Sequence, residues 1–233
     1  MYPEIRLAVT DVLLDRQSVL GRGHFGVVYQ GSLVAPARHP AWEMLRALGH
    51  ANAKPPFPVA LKMVQQGDER HLSEMLLEAR LHAHLDHPHL VKLLGVQEQR
   101  EPVFLALELC TQGSLLHWLR GSSQAGGSGS GREQAPSSPP SLGCKVQMAL
   151  QIGSALGYLH SKLCLHRDIA ARNVLVFRQG NAQTGEGLCL KLSDLGLSRA
   201  LPTEAAYYTV RGKGRRACRT LCQRGGLMHR RWM

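Results

Sequence analysis

The stretch Gly21-Arg22-Gly23-His24-Phe25-Gly26-Val27-Val28, followed by Tyr29-Gln30-Gly31-Ser32-Leu33, decides the fold. Its G-x-G-x-x-G-x-V spacing suits two architectures, because glycines let a backbone approach phosphate oxygens without a Cβ in the way. In a dinucleotide-binding unit a helix follows the glycines. Here the sequel is strand-like, and residues 5–31 alternate apolar and polar positions around the glycine cluster. The glycines therefore read as the tight turn of a hairpin whose two strands lie in 5–31.

Working outward, residues 32–58 are rich in Pro and Ala, long for a strand connection, and read as a surface insertion with at most one short helix in AWEMLRALGH. PVALKMV (58–64) is a strand. Leu72, Leu76, Leu81 and Leu85 recur at helical spacing beside Met75 and Ala79, and the helix must end before His87-Pro88. LVKLLGV (90–96) and PVFLALEL (102–109) are further strands, and SLLHWLR begins a helix. Residues 121–141 are a Gly/Ser/Pro stretch with no means of packing. An amphipathic helix over 144–160 follows, then strand-and-loop segments. A mostly β first half and a mostly helical second half predict a two-lobed α+β arrangement.

Composition bounds the possibilities. The chain has 233 residues, 44% of them apolar, which is enough for a sizeable core and excludes a wholly disordered chain. No apolar run approaches the ~20 residues of a membrane span. The N-terminus MYPEIRLAVT lacks the basic and apolar regions of a signal peptide. Cys110, Cys144, Cys164, Cys189, Cys218 and Cys222 form no CxxC pair, which suits a reducing compartment, so the chain reads as soluble and cytoplasmic. There are 28 Lys+Arg against 17 Asp+Glu, but residues 211–233 hold eight of the basic residues and no acid; without them the balance is 20 to 17. That tail shows charge without a helical stripe, strand alternation or nucleic-acid motif, so no nucleic-acid partner is expected.

Four clusters carry chemistry: the glycine loop, Val59-Ala60-Leu61-Lys62 with Glu78 on the following helix, His166-Arg167-Asp168-Ile169-Ala170-Ala171-Arg172-Asn173, and Asp194-Leu195-Gly196. A lysine ammonium reaches phosphates, while Asp and Asn supply the hard oxygens that suit Mg²⁺ bound jointly with a nucleotide. In order and spacing the set resembles the protein kinase family. HRDIAARN is similar to the tyrosine-kinase form of the catalytic loop. GRGHFGVVYQG and Tyr207-Tyr208 look most like receptor tyrosine kinases of the hepatocyte-growth-factor receptor group. The resemblance covers residues 10–210, with an N-lobe over 10–109, a partial C-lobe over 113–210, and insertions at 32–58 and 121–141.

By that resemblance, Gly21, Gly23 and Gly26 would cover the phosphates of ATP, and Val28, Ala60 and Leu175 would enclose adenine. Glu108, Leu109 and Cys110 would form the hinge behind Leu107. Lys62, held by Glu78, would bind the α/β-phosphates, and Asn173 and Asp194 would bind Mg²⁺. Asp168 would accept the substrate hydroxyl's hydrogen bond, and Arg172 would help position a tyrosine of a protein substrate. A homodimer would phosphorylate Tyr207 or Tyr208 in trans, and the new charge would pair with Arg167.

The pattern also departs from the family. Asp194-Leu195-Gly196 stands for the usual D-F-G, and His82, four residues after Glu78, falls where the family packs an apolar side chain, a change expected to weaken the active arrangement. After Tyr208 the resemblance implies an A-P-E motif and further helices, so a C-terminally truncated kinase, impaired by loss of the rest of its C-lobe and ending in a basic, disordered or aberrant tail, is expected. The alternative is a catalytically inactive nucleotide-binding or scaffold fragment. His82, His84, His87 and His89 straddle a helix end and a turn and read as structural. Cys218 and Cys222 lack a second ligand pair for a metal. Trp42, Trp118 and Trp232 read as packing residues.

Overall fold

The structure, a computed structural model, describes residues 5–23, 26–64, 68–110, 112–120, 140–178 and 187–200. Tyr207, Tyr208, Cys218, Cys222, Trp232, the basic tail and most of the 121–141 stretch lie outside the described residues.

The glycine stretch is a hairpin. Strand β1 (Val12–Gly23) pairs antiparallel with β2 (Gly26–Leu33), from Val12 opposite Leu33 to Gly23 opposite Gly26. Together with β3 (Phe57–Met63), β4 (Leu93–Gln97) and β5 (Phe104–Glu108) they form a five-stranded sheet in the order β1-β2-β3-β5-β4. Side chains alternate across such a sheet. Val59, Leu61, Met63, Phe104 and Ala106 therefore share one face with Leu33 and Leu94, while Leu105 points to the other. There it meets Met75 and Ala79 of helix α2 (Glu69–His82).

The opposite face corrects one expectation. Residues 32–58 read as a surface insertion, yet Ala35, Ala41, Trp42, Leu45 and Ala53 are buried in the same cluster as Leu33, Leu61 and Phe104. Helix α1 (Ala41–Ala47) lays Trp42, 1% exposed, against the sheet. The indole N–H donates to the carbonyls of Ala35 and Pro36, at 3.3 and 3.0 Å. The one short helix read in AWEMLRALGH is thus present; what the surrounding prolines and alanines hid is that its apolar side is buried. The cover is continued by the N-terminal segment, where Leu7 is buried and its N–H donates to Val96 at 2.9 Å, beside the edge strand β4.

Helix α2 begins at Asp68, whose Oδ1 accepts from the His71 N–H at 3.1 Å. It ends at His82 rather than running to Leu85. His84 and Leu85 donate to the carbonyls three residues back, so the last apolar position of the predicted stripe is buried by a turn and not by the helix.

The second lobe contains α3 (Leu115–Arg120), α4 (Leu142–Ser161), the β7 (Val174–Arg178)–β8 (Leu188–Leu192) hairpin, and the short pair β6 (Cys164–Leu165) and β9 (Arg199–Ala200). Leu115, Trp118, Met148, Leu159, Val176, Leu190 and Leu192 form its core. The two-lobed α+β arrangement expected from the sequence is present. Among the described residues no helix is long and apolar enough to cross a membrane.

Candidate active site

Strand periodicity delivers the first functional group. Because Leu61 and Met63 face the α1 side, Lys62 must face α2. On α2 the buried residues Met75, Glu78, Ala79 and His82 follow helical spacing, which aims Glu78 at the same space. The Lys62 Nζ donates to both Glu78 oxygens, at 2.9 and 2.7 Å, and to Asp194 Oδ1 at 3.0 Å. Burial works against charge on Lys62, but the two carboxylates outweigh it and hold the ammonium above its usual pKa. The Lys62 and Glu78 side chains are 9% and 3% exposed, whereas that of Asp194 is 36% exposed. One end of this cluster is thus sealed and the other opens to solvent.

The second group is the loop after β6. Asn173 closes it in a 3-10 turn over Ala171–Asn173, its N–H donating to Ala170 at 2.8 Å. Asn173 Nδ2 donates to the Asp168 carbonyl at 2.9 Å and to Asp168 Oδ2 at 2.8 Å. Arg172 Nη2 donates to Asp168 Oδ1 at 2.6 Å. Both carboxylate oxygens are therefore oriented, each with acceptor capacity left. The His166 Nε2–H donates to the Ser193 carbonyl at 3.0 Å, and its Nδ1 accepts from the Asp168 N–H at 3.3 Å. Ser193 in turn donates to the Asn173 carbonyl through its N–H at 2.8 Å and its hydroxyl at 2.9 Å. This network joins the Asp168 loop to the residue before Asp194. Burial lowers the His166 pKa despite the nearby Ser193 carbonyl, Asp194 and Asp168. Arg167 and Asp194 adopt φ values of 70° and 63°, a left-handed backbone that is strained for a non-glycine residue and accumulates at functional sites.

The remaining candidate positions line the sheet side. Val28 lies opposite Lys62 in the β2–β3 register, Gly21 opposite Val28, and Ala60 opposite Leu107. Gly21 would have nothing within 4 Å of an added Cβ, so its surface is open. Gly26 is different: at φ +133° its added Cβ would lie 2.1 Å from the Met63 carbonyl oxygen, so glycine there is demanded by the β2–β3 approach itself. Gly23 ends β1 opposite Gly26. The Cys110 thiol donates to the Val176 carbonyl at 2.8 Å, bringing the end of β5 to β7, the strand that carries Leu175. Burial raises the thiol's pKa.

Glu108 shows what residue types alone missed. Its carboxylate turns inward, accepting from Lys92 N–H at 2.6 Å and from Lys191 Nζ at 2.6 Å. Lys191 is 4% exposed. The available signal is a charged residue inside each of two apolar strands, LALEL and LCLKL. The histidines noted in the sequence have structural partners: His82 Nε2–H donates to Val91 at 2.6 Å and His89 Nδ1–H to Leu190 at 2.9 Å.

Could the site take a cation? With Asn173 Nδ2 committed to Asp168, its amide oxygen is the group left for a metal, and Asp194 presents a half-exposed carboxylate. Among the described residues no group of three or more His, Cys, Asp or Glu gathers as a metal cage. That donor set suits Mg²⁺, which takes one or two protein oxygens and fills its shell with phosphates and water.

A family model described as protein tyrosine and serine/threonine kinase matches residues 14–221. The chain is 36% identical over 206 residues to the tyrosine-protein kinase transforming protein ros of UR2 avian sarcoma virus, covering 86% of this chain and 44% of that relative. It is 34% identical over 182 residues to tyrosine-protein kinase Fer of Mus musculus, covering 78% and 17%. It is 34% identical over 213 residues to the insulin-like growth factor 1 receptor of Bos taurus, covering 91% and 28%. The chain thus spans less than half the length of each of these relatives.

Proposed function

The chain belongs to the protein tyrosine and serine/threonine kinase family, and from that premise we propose that it is a protein tyrosine kinase, moving the γ-phosphoryl group of ATP to a tyrosine hydroxyl of a protein substrate. The observation that carries this reading is Lys62 held charged between Glu78 and Asp194, with Asp168 oriented by Asn173 and Arg172. Such transfer needs little covalent chemistry from the protein; positioning and charge neutralisation supply the rate. Lys62 would donate to the α/β-phosphates. Asp168 would accept the hydrogen bond of the attacking hydroxyl and fix its direction. Arg172, whose side chain is 59% exposed beside Asp168, would help position the tyrosine. Val28, Ala60 and Leu175 would flank adenine, with the hinge of Glu108, Leu109 and Cys110 at its edge. Bound Mg²⁺, held by Asn173 and Asp194, would neutralise charge on the phosphate oxygens.

A cytoplasmic location, free or as the inner part of a receptor, goes with the use of ATP. Tyr207 and Tyr208, outside the described residues, would be phosphorylated by a second copy of the chain.

The test is the melting temperature of the purified chain with ATP and Mg²⁺. A ligand that binds only the folded state raises it, by about 2.7 kcal/mol of stabilisation at a hundredfold excess over Kd. The expected result is a Mg²⁺-dependent rise that disappears in Asp194→Asn, together with phosphate incorporation into a tyrosine-containing peptide. A rise without incorporation would leave the nucleotide-binding scaffold as the better reading. Absence of any rise would overturn both.

A further inference from the structure

His82 is a buried titratable side chain that the proposed chemistry does not use. It stands one helical turn after Glu78, on the same buried face of α2, and is 5% exposed. Its Nε2–H donates to the Val91 carbonyl at 2.6 Å. Val91 N–H donates in turn to Leu192 at 3.0 Å, and Leu192 N–H to His89 at 2.9 Å. The segment 89–92 is thereby stitched to β8, the strand that leads to Asp194. A continuous path of hydrogen bonds runs from α2 through His82, Val91 and Leu192 toward Asp194, and these same two elements grip Lys62 from either side.

The other ring nitrogen is the telling one. Nδ1 is buried and has no hydrogen-bond partner. A side chain that merely filled this space would be better apolar, because a stranded buried acceptor is destabilising. Burial pushes the imidazole pKa down to about 4, so at neutral pH the ring is uncharged and has a single donor, which goes to Val91.

We propose that His82 is a positioning residue: its hydrogen bond to Val91 pins α2 to the segment 89–92, which is stitched to β8, and so keeps Glu78 against Lys62. The departure from an apolar residue is then a gain in register and not a weakness. The link from pin to phosphotransfer rests on the kinase reading; the pin itself does not.

Two variants of the full chain test it. His82→Leu keeps apolar volume and removes the donor, whereas His82→Gln keeps an N–H that reaches a carbonyl. Hydrogen exchange of the amides over residues 78–83 is the first readout, with α4 amides as internal reference. Exchange in His82→Leu should be about fivefold faster than in the parent, the effect of one lost buried hydrogen bond, and His82→Gln should restore it. In phosphotransfer to a tyrosine peptide, His82→Leu should lower kcat by a similar factor with little change in the KM for the peptide. Parent-like exchange in His82→Leu overturns the pin. If His82→Leu unfolds the chain, His82→Gln decides: parent-like α2 protection supports the pin and lost protection overturns it. If the parent transfers no phosphate, the kinase reading fails while the exchange measurement still decides the role of His82.

Discussion

Lys62 and Lys191 each cross between elements to reach a buried glutamate, but the two pairs are finished differently. Lys191 and Glu108 are 2.6 Å apart, with side chains 5% and 4% exposed. The second Glu108 oxygen is taken by the Lys92 N–H, and the Lys191 ammonium lies 4.8 Å from the centre of the Phe177 ring. Lys62 also has a sealed glutamate, yet adds Asp194, a carboxylate more than a third exposed. A closed pair joins β5 to β8 and is balanced in charge. The Lys62 cluster carries a surplus negative charge at an open edge; on the proposed kinase reading a phosphate would take the place of Asp194 on Lys62 and the freed carboxylate would take a cation. Burial and a short ion pair are common to both clusters; the accessible third group is what sets the Lys62 cluster apart.

Paired deletions would break this comparison most sharply. Lys62→Met should reduce phosphotransfer about a hundred- to a thousandfold, the range for removing one preorganised donor, and should cost stability as well, because Glu78 is left sealed without its ammonium. Lys191→Met should spare phosphotransfer and act on stability alone. Leaving Glu108 charged and sealed is expected to lower the unfolding free energy by about 3–5 kcal/mol, measured by urea denaturation, with activity per folded molecule near that of the parent. If Lys191→Met proves silent in stability, the closed pair is not structural.

The double variant Glu108→Leu/Lys191→Met sharpens the same point at a smaller scale. Replacing a whole buried ion pair by apolar groups of similar volume is often neutral. Most of the single variant's loss should therefore return, to within about 1–2 kcal/mol of the parent. A double variant as unstable as Lys191→Met would mean that the pair has a role beyond mutual compensation.

The same contrast explains which features are legible in the amino-acid sequence. The hairpin at Gly21–Leu33, Lys62 on its strand and Glu78 on its helix follow from local period and motif order, which do not depend on distant contacts. The short helix in AWEMLRALGH and Trp42 as a packing residue are legible too, but the burial of 32–58 is not, because its apolar partner is a sheet face built from other parts of the chain. Gly26 is legible as a turn glycine but not as the site of close approach to Met63, which only pairing with β3 creates. The Lys191–Glu108 pair spans strands far apart in sequence. Its charged residues interrupt apolar runs without saying which of them meet. The Nδ1 of His82 is likewise invisible in a sequence, since an unpartnered atom is a property of packing.

Acid should act first on the Lys62 side, through His82. An ordinary histidine titrates near 6.5, and burial moves this one to about 4, with the Val91 carbonyl partly opposing the shift and the Lys62 charge adding to it. Between those values the unfolded chain binds a proton that the folded chain refuses, so stability rises with pH across the window and falls as pH drops from 6.5 toward 4. The full difference amounts to about 3 kcal/mol. His166, also depressed by burial, contributes in the same direction and is unaffected by substitution at His82. The difference between the melting curves of the parent and of His82→Leu therefore isolates the His82 share. The parent should lose stability more steeply over this range, and the two curves should converge in slope above pH 6.5. Parallel curves throughout would mean that His82 can be protonated in place, and a ring that tolerates charge there could not be the sealed, single-donor contact that ties α2 to Val91.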